Sequence, residues 1–204
     1  MRIALLGEYN PSAETHIATE RAVDHSSAIL NQRIIGEWIS SDAITSDLLD
    51  TYDGLWVTPG PPHRNIENTL QAITHARERG IPTFGNCGGF QLLVVELARK
   101  ILGLHDAHHE EYSPSADVRV VVPMACSLRG QELPVTVVAP SLASSLYQRT
   151  HVVERYYCRY GINPLYRSQF VSEPLTVAAL DHDGEIRAFE VRDHPFWLMA
   201  FWSG

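Results

Sequence analysis

A cysteine between an apolar segment and a helical pattern constrains the fold of this chain more than any other feature. Residues 82–84 have the composition of a short buried strand, and after Gly88 the apolar residues recur at intervals of three and four, the spacing of an amphipathic helix. Cys87 therefore lies at a strand-to-helix turn. The pattern Gly85-x-Cys87-x-Gly89 matches a nucleophile elbow, in which small neighbours leave room for a reactive side chain at the top of a sheet.

The start of a helix favours a reactive form of Cys87. Backbone N–H groups in the first helical turn have no partner within the helix, and they stabilise a nearby negative charge. They therefore favour the thiolate, which is the nucleophilic form of cysteine. This position predicts that Cys87 is a nucleophile. The alternative is that Cys87 is only a small apolar residue in a glycine-rich turn.

Two patterns divide the chain into halves. The first hundred residues alternate between predicted strands and helices, with strands at 2–7, 32–39, 55–60 and 82–84 and helices at 14–30, at 65–79 and after residue 88. The later residues are rich in strands, at 118–122, 135–139, 175–180, 185–191 and 196–202. The alternating half is typical of an α/β fold, with a doubly wound, mostly parallel, flavodoxin-like sheet flanked by helices. We expect one domain over residues 1–204, with a strand-rich C-terminal half that shares the core.

The charge and cysteine content argue against several classes of partner. The formal net charge is −8 and there is no Lys/Arg-rich block, which disfavours nucleic acid or an anionic membrane as the main partner. Cys87, Cys126 and Cys158 have neither metal-site spacing nor the pattern of a disulfide framework, which favours a reducing, cytoplasmic compartment. No apolar run approaches the roughly 20 residues that a membrane span requires. We expect a soluble protein with a small amino-acid ligand.

Beyond the elbow, several separated segments follow the pattern of one family in the same order, namely residues 3–9, 20–25, 76–82, 96–104, 154–160 and 189–195. With the elbow, they resemble class-I glutamine amidotransferases, most closely the glutaminase domain of CTP synthase. The resemblance runs nearly from end to end, and it implies release of ammonia from glutamine without a cofactor or a metal. It does not include the ligase domain, which binds ATP and UTP and precedes the glutaminase domain in the family. We therefore expect that this chain alone does not make CTP.

The resemblance also implies roles for individual residues. In the family, a cysteine attacks the side-chain amide of glutamine and backbone N–H groups hold the oxyanion. The matching residues are Cys87 for the nucleophile, Gly60 and Gly88 for substrate-binding backbone, Gln91 and Glu111 for the α-amino end of glutamine, and Arg159 for its carboxylate. An acid for the ammonium and an arginine for the carboxylate suit a free amino acid. The alternatives are that Glu111 is an ordinary surface charge and Arg159 part of a structural ion pair.

Three departures from the family pattern accompany the resemblance. Ser203 stands where the family has its catalytic histidine, and the glutamate that orients this histidine has no counterpart in the sequence. The loop at residues 59–64, which supplies an oxyanion N–H in the family, contains three prolines, and proline has no N–H. Asn86 and Gly88 replace bulkier residues of the elbow, which alters the shape of the pocket.

A substitute proton carrier is therefore needed, and His63 is one candidate. The loop after the third strand lies beside the elbow in this fold, so that His63 or Arg64 could approach Cys87. The alternative for His63 is a solvent-facing loop residue. His151 is a weaker candidate, and His194 is excluded because nine residues of extended strand separate it from the position of Ser203, a span of about 30 Å.

The histidine-rich segment after the elbow helix is not expected to bind a metal. Its residues lie in a predicted turn without the helical i, i+4 spacing of a metal motif, and they are His105, His108, His109, Glu110 and Glu111. The leading interpretation is a glutaminase-type protein that hydrolyses glutamine, or a related amino-acid amide, through an acyl-enzyme on Cys87. It would work with a synthetase partner or as a homo-oligomer. Two alternatives stay open, namely an inactive glutamine-binding or regulatory subunit and a hydrolase with another substrate.

Overall fold

A nine-stranded sheet with helices packed against it forms the centre of the computed structural model, which describes residues 1–60 and 63–203. The strands of this sheet and of a small three-stranded sheet are β1 (Arg2–Leu6), β2 (Ile35–Ile39), β3 (Gly54–Val57), β4 (Thr83–Asn86), β5 (Ala107–His109), β6 (Val118–Pro123), β7 (Gln131–Val137), β8 (His151–Tyr156), β9 (Tyr160–Ile162), β10 (Leu175–Leu180), β11 (Ile186–Val191) and β12 (Trp197–Ala200). The helices are α1 (Glu14–Ile29), α2 (Ser46–Leu49), α3 (Ile66–Arg79), α4 (Gly88–Lys100), α5 (Leu142–Tyr147) and a 3-10 helix (Arg167–Val171).

The large sheet is parallel on one side and antiparallel on the other. Its order is β2-β1-β3-β4-β12-β11-β10-β7-β8, in which neighbours from β2 to β12 run parallel and neighbours from β12 to β8 run antiparallel. The alternating half of the sequence supplies β1 to β4, and the strand-rich half supplies the rest. β12 joins the two sides, because it pairs with β4 and with β11. The predicted α/β class, with its strand-rich C-terminal half, is confirmed.

Local signals placed most element boundaries within a few residues. Asn65 caps α3 as predicted, since its side chain accepts a hydrogen bond from Asn68 N at 3.0 Å. Gly80 ends this helix with a φ of 68°. The second strand begins at Ile35 rather than at residue 32, because the chain first turns through Asn31, whose φ is 48°. Six elements were not predicted: the strand β5, in whose region the sequence predicted only a turn, the strands β8 and β9, the short helices α2 and α5, and the 3-10 helix.

Apolar residues from both halves form one continuous buried cluster. The helix α4 runs through it and is buried from Gly89 to Ala98. Glu96 lies within this helix at 1% exposure, and its carboxylate pairs with Arg77 at 3.0 Å, which compensates the buried charge. Among the helices of the described residues, none has the length and apolarity needed to cross a bilayer.

Candidate active site

Cys87 occupies a tight turn between β4 and α4. Its φ of 50° and ψ of −110° are values that L-residues rarely adopt. The flanking glycines let α4 approach the sheet: a Cβ on Gly85 would stand 2.1 Å from Leu93 Cδ1, and a Cβ on Gly89 would stand 1.9 Å from the carbonyl oxygen of Val57. Both glycines are therefore required by close packing, as in the elbow that the sequence predicted.

The thiol of Cys87 is 7% exposed and has a second thiol beside it. Its Sγ is 3.0 Å from Cys158 Sγ, which also lies 3.1 Å from the carbonyl oxygen of Phe201. The hydrogen bond from Cys158 is the main cause that lowers the pKa of Cys87; burial opposes it, and the Ser203 hydroxyl and the Gly88 N–H assist it. The buried Ser203 Oγ lies next to Cys87, but outside regular hydrogen-bond geometry with any described residue.

A pocket of about 580 Å³ opens at Cys87. Its lining includes six of the residues that the sequence analysis assigned to the site: Gly60, Cys87, Gly88, Gln91, Glu111 and Arg159. They come from the loop after β3, the elbow, α4, the segment after β5 and the segment between β8 and β9. The start of α1, Arg129 and Tyr157 complete the rim. The fold thus gathers residues that are up to about a hundred positions apart in the chain.

Two hydrogen bonds fix the side-chain amide of Gln91. Its Nε2 donates to the carbonyl oxygen of Tyr160 at 2.9 Å, and its Oε1 lies 3.0 Å from His109 Nε2. His109 Nε2 is the donor of this bond, because its Nδ1 accepts the backbone N–H of Glu111 at 3.1 Å. Burial lowers the pKa of His109 to about 4, so that the ring is neutral at neutral pH. One neutral histidine therefore positions two of the predicted substrate-binding residues.

Glu111 and Arg159 bring opposite charges to the pocket. Glu111 is an exposed residue, as its surface-charge alternative requires, but it lines the pocket. Partial desolvation by the surrounding residues raises the pKa of its carboxyl, and the charge of Arg159 acts against this rise. Among residues 1–60 and 63–203, no carboxylate oxygen lies within 4.0 Å of the Arg159 guanidinium. Arg159 is therefore not part of a structural ion pair in the described chain, and its charge is available to a ligand.

The loop after β3 presents a backbone N–H despite its prolines. Gly60 has a φ of 118°, and a Cβ there would stand 2.5 Å from His16 Nε2. His16 holds this loop: its Nδ1 accepts Asn10 N–H at 2.9 Å, so its Nε2 donates to the carbonyl oxygen of Pro59 at 3.0 Å. A Cβ on Gly88 would lie 3.2 Å from the Gly60 carbonyl oxygen and 3.5 Å from Gly60 N, so the two backbones are adjacent. No described residue accepts the N–H of Gly60.

The structure does not bring His63 to this pocket. Its ring is 4% exposed, and its Nδ1 donates to Thr69 Oγ1 at 3.1 Å, because the hydroxyl hydrogen of Thr69 goes to the carbonyl oxygen of Asn65. Burial lowers the pKa of His63 to about 4. The ring lines a separate cavity of about 370 Å³ together with Tyr112. His63 is thus neither the pocket residue that we expected nor the solvent-facing residue of the alternative.

The other histidines considered for proton transfer also lie away from the pocket. His151 is exposed on β8, with its ring 3.4 Å from Thr136 Oγ1. His194 precedes β12 whereas Ser203 follows it, so the strand separates His194 from Cys87. In the segment after α4, no three of the described His and Glu side chains bring ligand atoms within 4.8 Å of one another.

Comparison with protein-family models gives one match, which spans residues 16–200, to the family described as glutamine amidotransferase class-I. The chain belongs to this family. CTP synthases from Sulfurisphaera tokodaii and Methanopyrus kandleri are 32% and 33% identical to this amidotransferase chain, in each case over 97% of it. The chain spans about 40% of the length of these curated relatives.

Solved structures that are similar to this chain come from the same family. The glutaminase domain of Trypanosoma brucei CTP synthase, with bound acivicin, superposes with a TM-score of 0.88 at 26% identity and covers 98% of this chain and 84% of that one. A glutamine amidotransferase from Thermotoga maritima gives a TM-score of 0.67 over 98% of this chain and 74% of that one, but its identity of 11% shows only a shared fold. The resemblance predicted from the separated segments is confirmed.

Two residues of the site, Cys158 and His109, were not predicted from the sequence. Cys158 was counted among scattered cysteines, although its neighbour Arg159 was assigned to the pocket. His109 was considered only as a metal ligand. The signal for both was present in their position beside residues assigned to the substrate, since a side chain next to such a residue in an irregular segment often reaches the same pocket.

Proposed function

We propose that this amidotransferase hydrolyses glutamine, or a related amide of an amino acid, through a covalent intermediate on Cys87. One observation carries the proposal: the elbow thiol lines the same pocket as Gln91, Glu111 and Arg159. Glu111 suits the ammonium group of a free amino acid, and Arg159 suits its carboxylate. A ligand held at these two groups would direct its side-chain amide toward the sulfur.

The reaction begins when Cys87 Sγ attacks the amide carbon and forms a C–S bond. The carbonyl oxygen becomes an oxyanion, for which the adjacent backbone N–H groups of Gly60 and Gly88 are the donors. The nitrogen takes up a proton from water and leaves as ammonia, and the hydroxide that this produces hydrolyses the thioester, which breaks the C–S bond and releases the acid and the Cys87 thiolate. Cys158 is the side chain hydrogen-bonded to Cys87 Sγ within the described residues, so we assign no proton transfer to His63.

The curated relatives suggest where the ammonia goes. Because they are CTP synthases, we propose that this protein supplies ammonia to a synthetase of pyrimidine nucleotide metabolism, either on a partner chain or within an oligomer. The ligand is a small amino-acid amide, and neither a metal nor a cofactor takes part in the proposed steps.

The direct test is ammonia release by the reduced protein. Glutamine, asparagine and other amino-acid amides would be supplied to wild type, to Cys87→Ser and to Cys126→Ser, the last being a matched control at an exposed cysteine. We expect sustained release by wild type and Cys126→Ser and none by Cys87→Ser. Equal release by Cys87→Ser would refute the proposed nucleophile. In active protein, His63→Ala should keep the pH–rate profile of wild type.

The second candidate function is a glutamine-binding or regulatory subunit without turnover. The observation in its favour is Ser203, which lies beside Cys87 where the resemblance to the family leads one to expect a histidine. A serine hydroxyl is a far weaker base than imidazole. Calorimetric glutamine affinity that falls in Arg159→Met, together with no ammonia release from any amide, would favour this function over hydrolysis.

A further inference from the structure

We propose that Cys87 and Cys158 form a reversible dithiol–disulfide pair, which gives the pocket a second chemistry, thiol–disulfide exchange with low-molecular-weight disulfides. The two Sγ atoms are 3.0 Å apart, about 1 Å more than the S–S bond length of about 2.05 Å. Both side chains line the pocket of the proposed amidase, so a small disulfide that enters it meets both thiols. The consequence for amide hydrolysis rests on the proposed function, but formation of the disulfide does not.

The surroundings of the two sulfurs hold them together across the fold. Cys87 is fixed by the elbow, and its backbone N–H is hydrogen-bonded to the carbonyl oxygen of Ala200 at 3.0 Å. Cys158 lies in the short irregular segment between β8 and β9. Its Sγ is 3.1 Å from the carbonyl oxygen of Phe201 as well as 3.0 Å from Cys87 Sγ. Because Cys158 is outside a regular element, the small movement to bonding distance requires no break in the sheet.

The two thiols differ in a way that suits sequential roles. The hydrogen bond from Cys158 lowers the pKa of Cys87, whereas burial, followed by the hydrogen bond to Cys87, raises the pKa of Cys158 well above its ordinary value. The thiolate therefore resides on Cys87, which is the attacking sulfur in exchange. Cys158 keeps its proton until the first step has removed the negative charge beside it, and it then acts as the resolving thiol.

The exchange balances with a symmetrical organic disulfide as oxidant. Cys87 thiolate attacks one sulfur of the disulfide, forms a mixed disulfide and releases the first organic thiolate. Cys158 loses its proton to that thiolate, attacks Cys87 Sγ and releases the second thiolate. The Cys87–Cys158 bond forms, two electrons pass to the organic disulfide and two organic thiol groups result, one protonated and one as thiolate. A thiol in excess reverses both steps.

Free-thiol counting tests the pair without reference to hydrolysis. Cys126→Ser, which removes the exposed cysteine, would be equilibrated with 2-hydroxyethyl disulfide and 2-mercaptoethanol in varied ratio, and its thiols counted after acid quenching and denaturation. We expect the count to fall from two to zero in one two-electron transition and to return with excess thiol. Peptide mapping should show residues 87 and 158 linked. A count that stays at two, or a mixed disulfide at Cys87 that persists, would overturn the proposal.

Cys158→Ser in the same background separates the two steps. It should stop at the mixed disulfide on Cys87, and Cys158→Ala repeats the test if the serine variant does not fold. Ammonia release by reduced protein reports on the proposed function separately. If the protein hydrolyses amides but forms no disulfide, only the proposed redox pair is refuted. If it forms the disulfide but hydrolyses no amide, only the proposed amidase function is refuted. In active protein, release should fall in proportion to the oxidised fraction and recover on reduction.

Discussion

Acidification should destabilise this protein well above the pH at which carboxylates titrate, because several histidines are buried in the neutral form and burial lowers the pKa most for two of them. His63 and His109 each have a pKa lowered by burial to about 4, against about 6.5 in an unfolded chain. The unfolded state therefore takes up protons first. The contribution of the two neutral rings to the free energy of unfolding is fully present above about pH 6.5 and is lost as the pH falls toward 4.

The size of the effect follows from the two pKa values. The difference between about 6.5 and about 4, at about 1.36 kcal/mol per pKa unit, gives about 3.4 kcal/mol for each ring once both states are fully titrated. At pH 5 the loss relative to pH 7.5 is about 2 kcal/mol per ring, or about 4 kcal/mol for both. This is a large share of the 5–15 kcal/mol that is typical of a folded domain.

Urea unfolding at pH 7.5, 6 and 5 measures this loss. His63→Gln and His109→Gln should each remove about 2 kcal/mol of the loss between pH 7.5 and pH 5, and the double variant about 4 kcal/mol, whatever the variants cost at pH 7.5. The smaller contribution of the buried His16, whose pKa burial also lowers, should remain. His151→Gln is the matched control at an exposed ring and should leave the slope unchanged. The reasoning is refuted if the double variant keeps the slope of wild type between pH 7.5 and 5.

Three further predictions concern the elbow, the core charge and the pocket. Gly89→Ala should lower the free energy of unfolding by more than about 4 kcal/mol or prevent folding, since the new Cβ would stand 1.9 Å from a carbonyl oxygen of β3. A Tm equal to that of wild type in thermal unfolding would contradict this. Glu96→Gln should lower the free energy of unfolding by about 1.5–3 kcal/mol, because Arg77 on α3 loses its buried charged partner and keeps the longer ion pair with Glu78 at 3.7 Å. The exposed Glu67→Gln should change it by under about 1 kcal/mol. In active protein, Arg159→Met should lower kcat/KM for glutamine by about 10- to 150-fold without loss of stability. The matched Arg129→Met, at the rim of the same pocket, should have a much smaller effect.

Features that depend on neighbouring residues were predictable from the sequence. The elbow at Cys87 is encoded by the glycines on either side and by the helix that follows, and the cap of α3 is encoded by Asn65 itself. The alternation of strand and helix sets the parallel side of the sheet. The predicted pocket residues then follow from the resemblance to the family, and their assembly around Cys87 agrees with that prediction, although their roles stay predictions.

Features that depend on contacts between distant segments were not predictable. Cys158 reaches Cys87 across 71 positions of sequence; its place beside Arg159 indicates the pocket, but no local pattern indicates contact with the Cys87 sulfur. The ring of His63 is hydrogen-bonded to Thr69 on α3 and does not face the pocket. This orientation depends on a contact with the helix that follows the loop, which the loop sequence does not indicate. The strand β5 depends on its pairing with β6, and the sequence of a segment of three residues does not predict this pairing.

The central claim, that Cys87 is a nucleophile in a pocket for an amino acid, is tested most directly by trapping. The reduced protein would be treated with an electrophilic glutamine analogue and mapped by mass spectrometry, with free glutamine as competitor. We predict one adduct per chain, on Cys87 rather than on the exposed Cys126, at a rate that glutamine reduces. Modification of Cys126 first, or of Cys87 at a rate that glutamine does not change, would contradict the account.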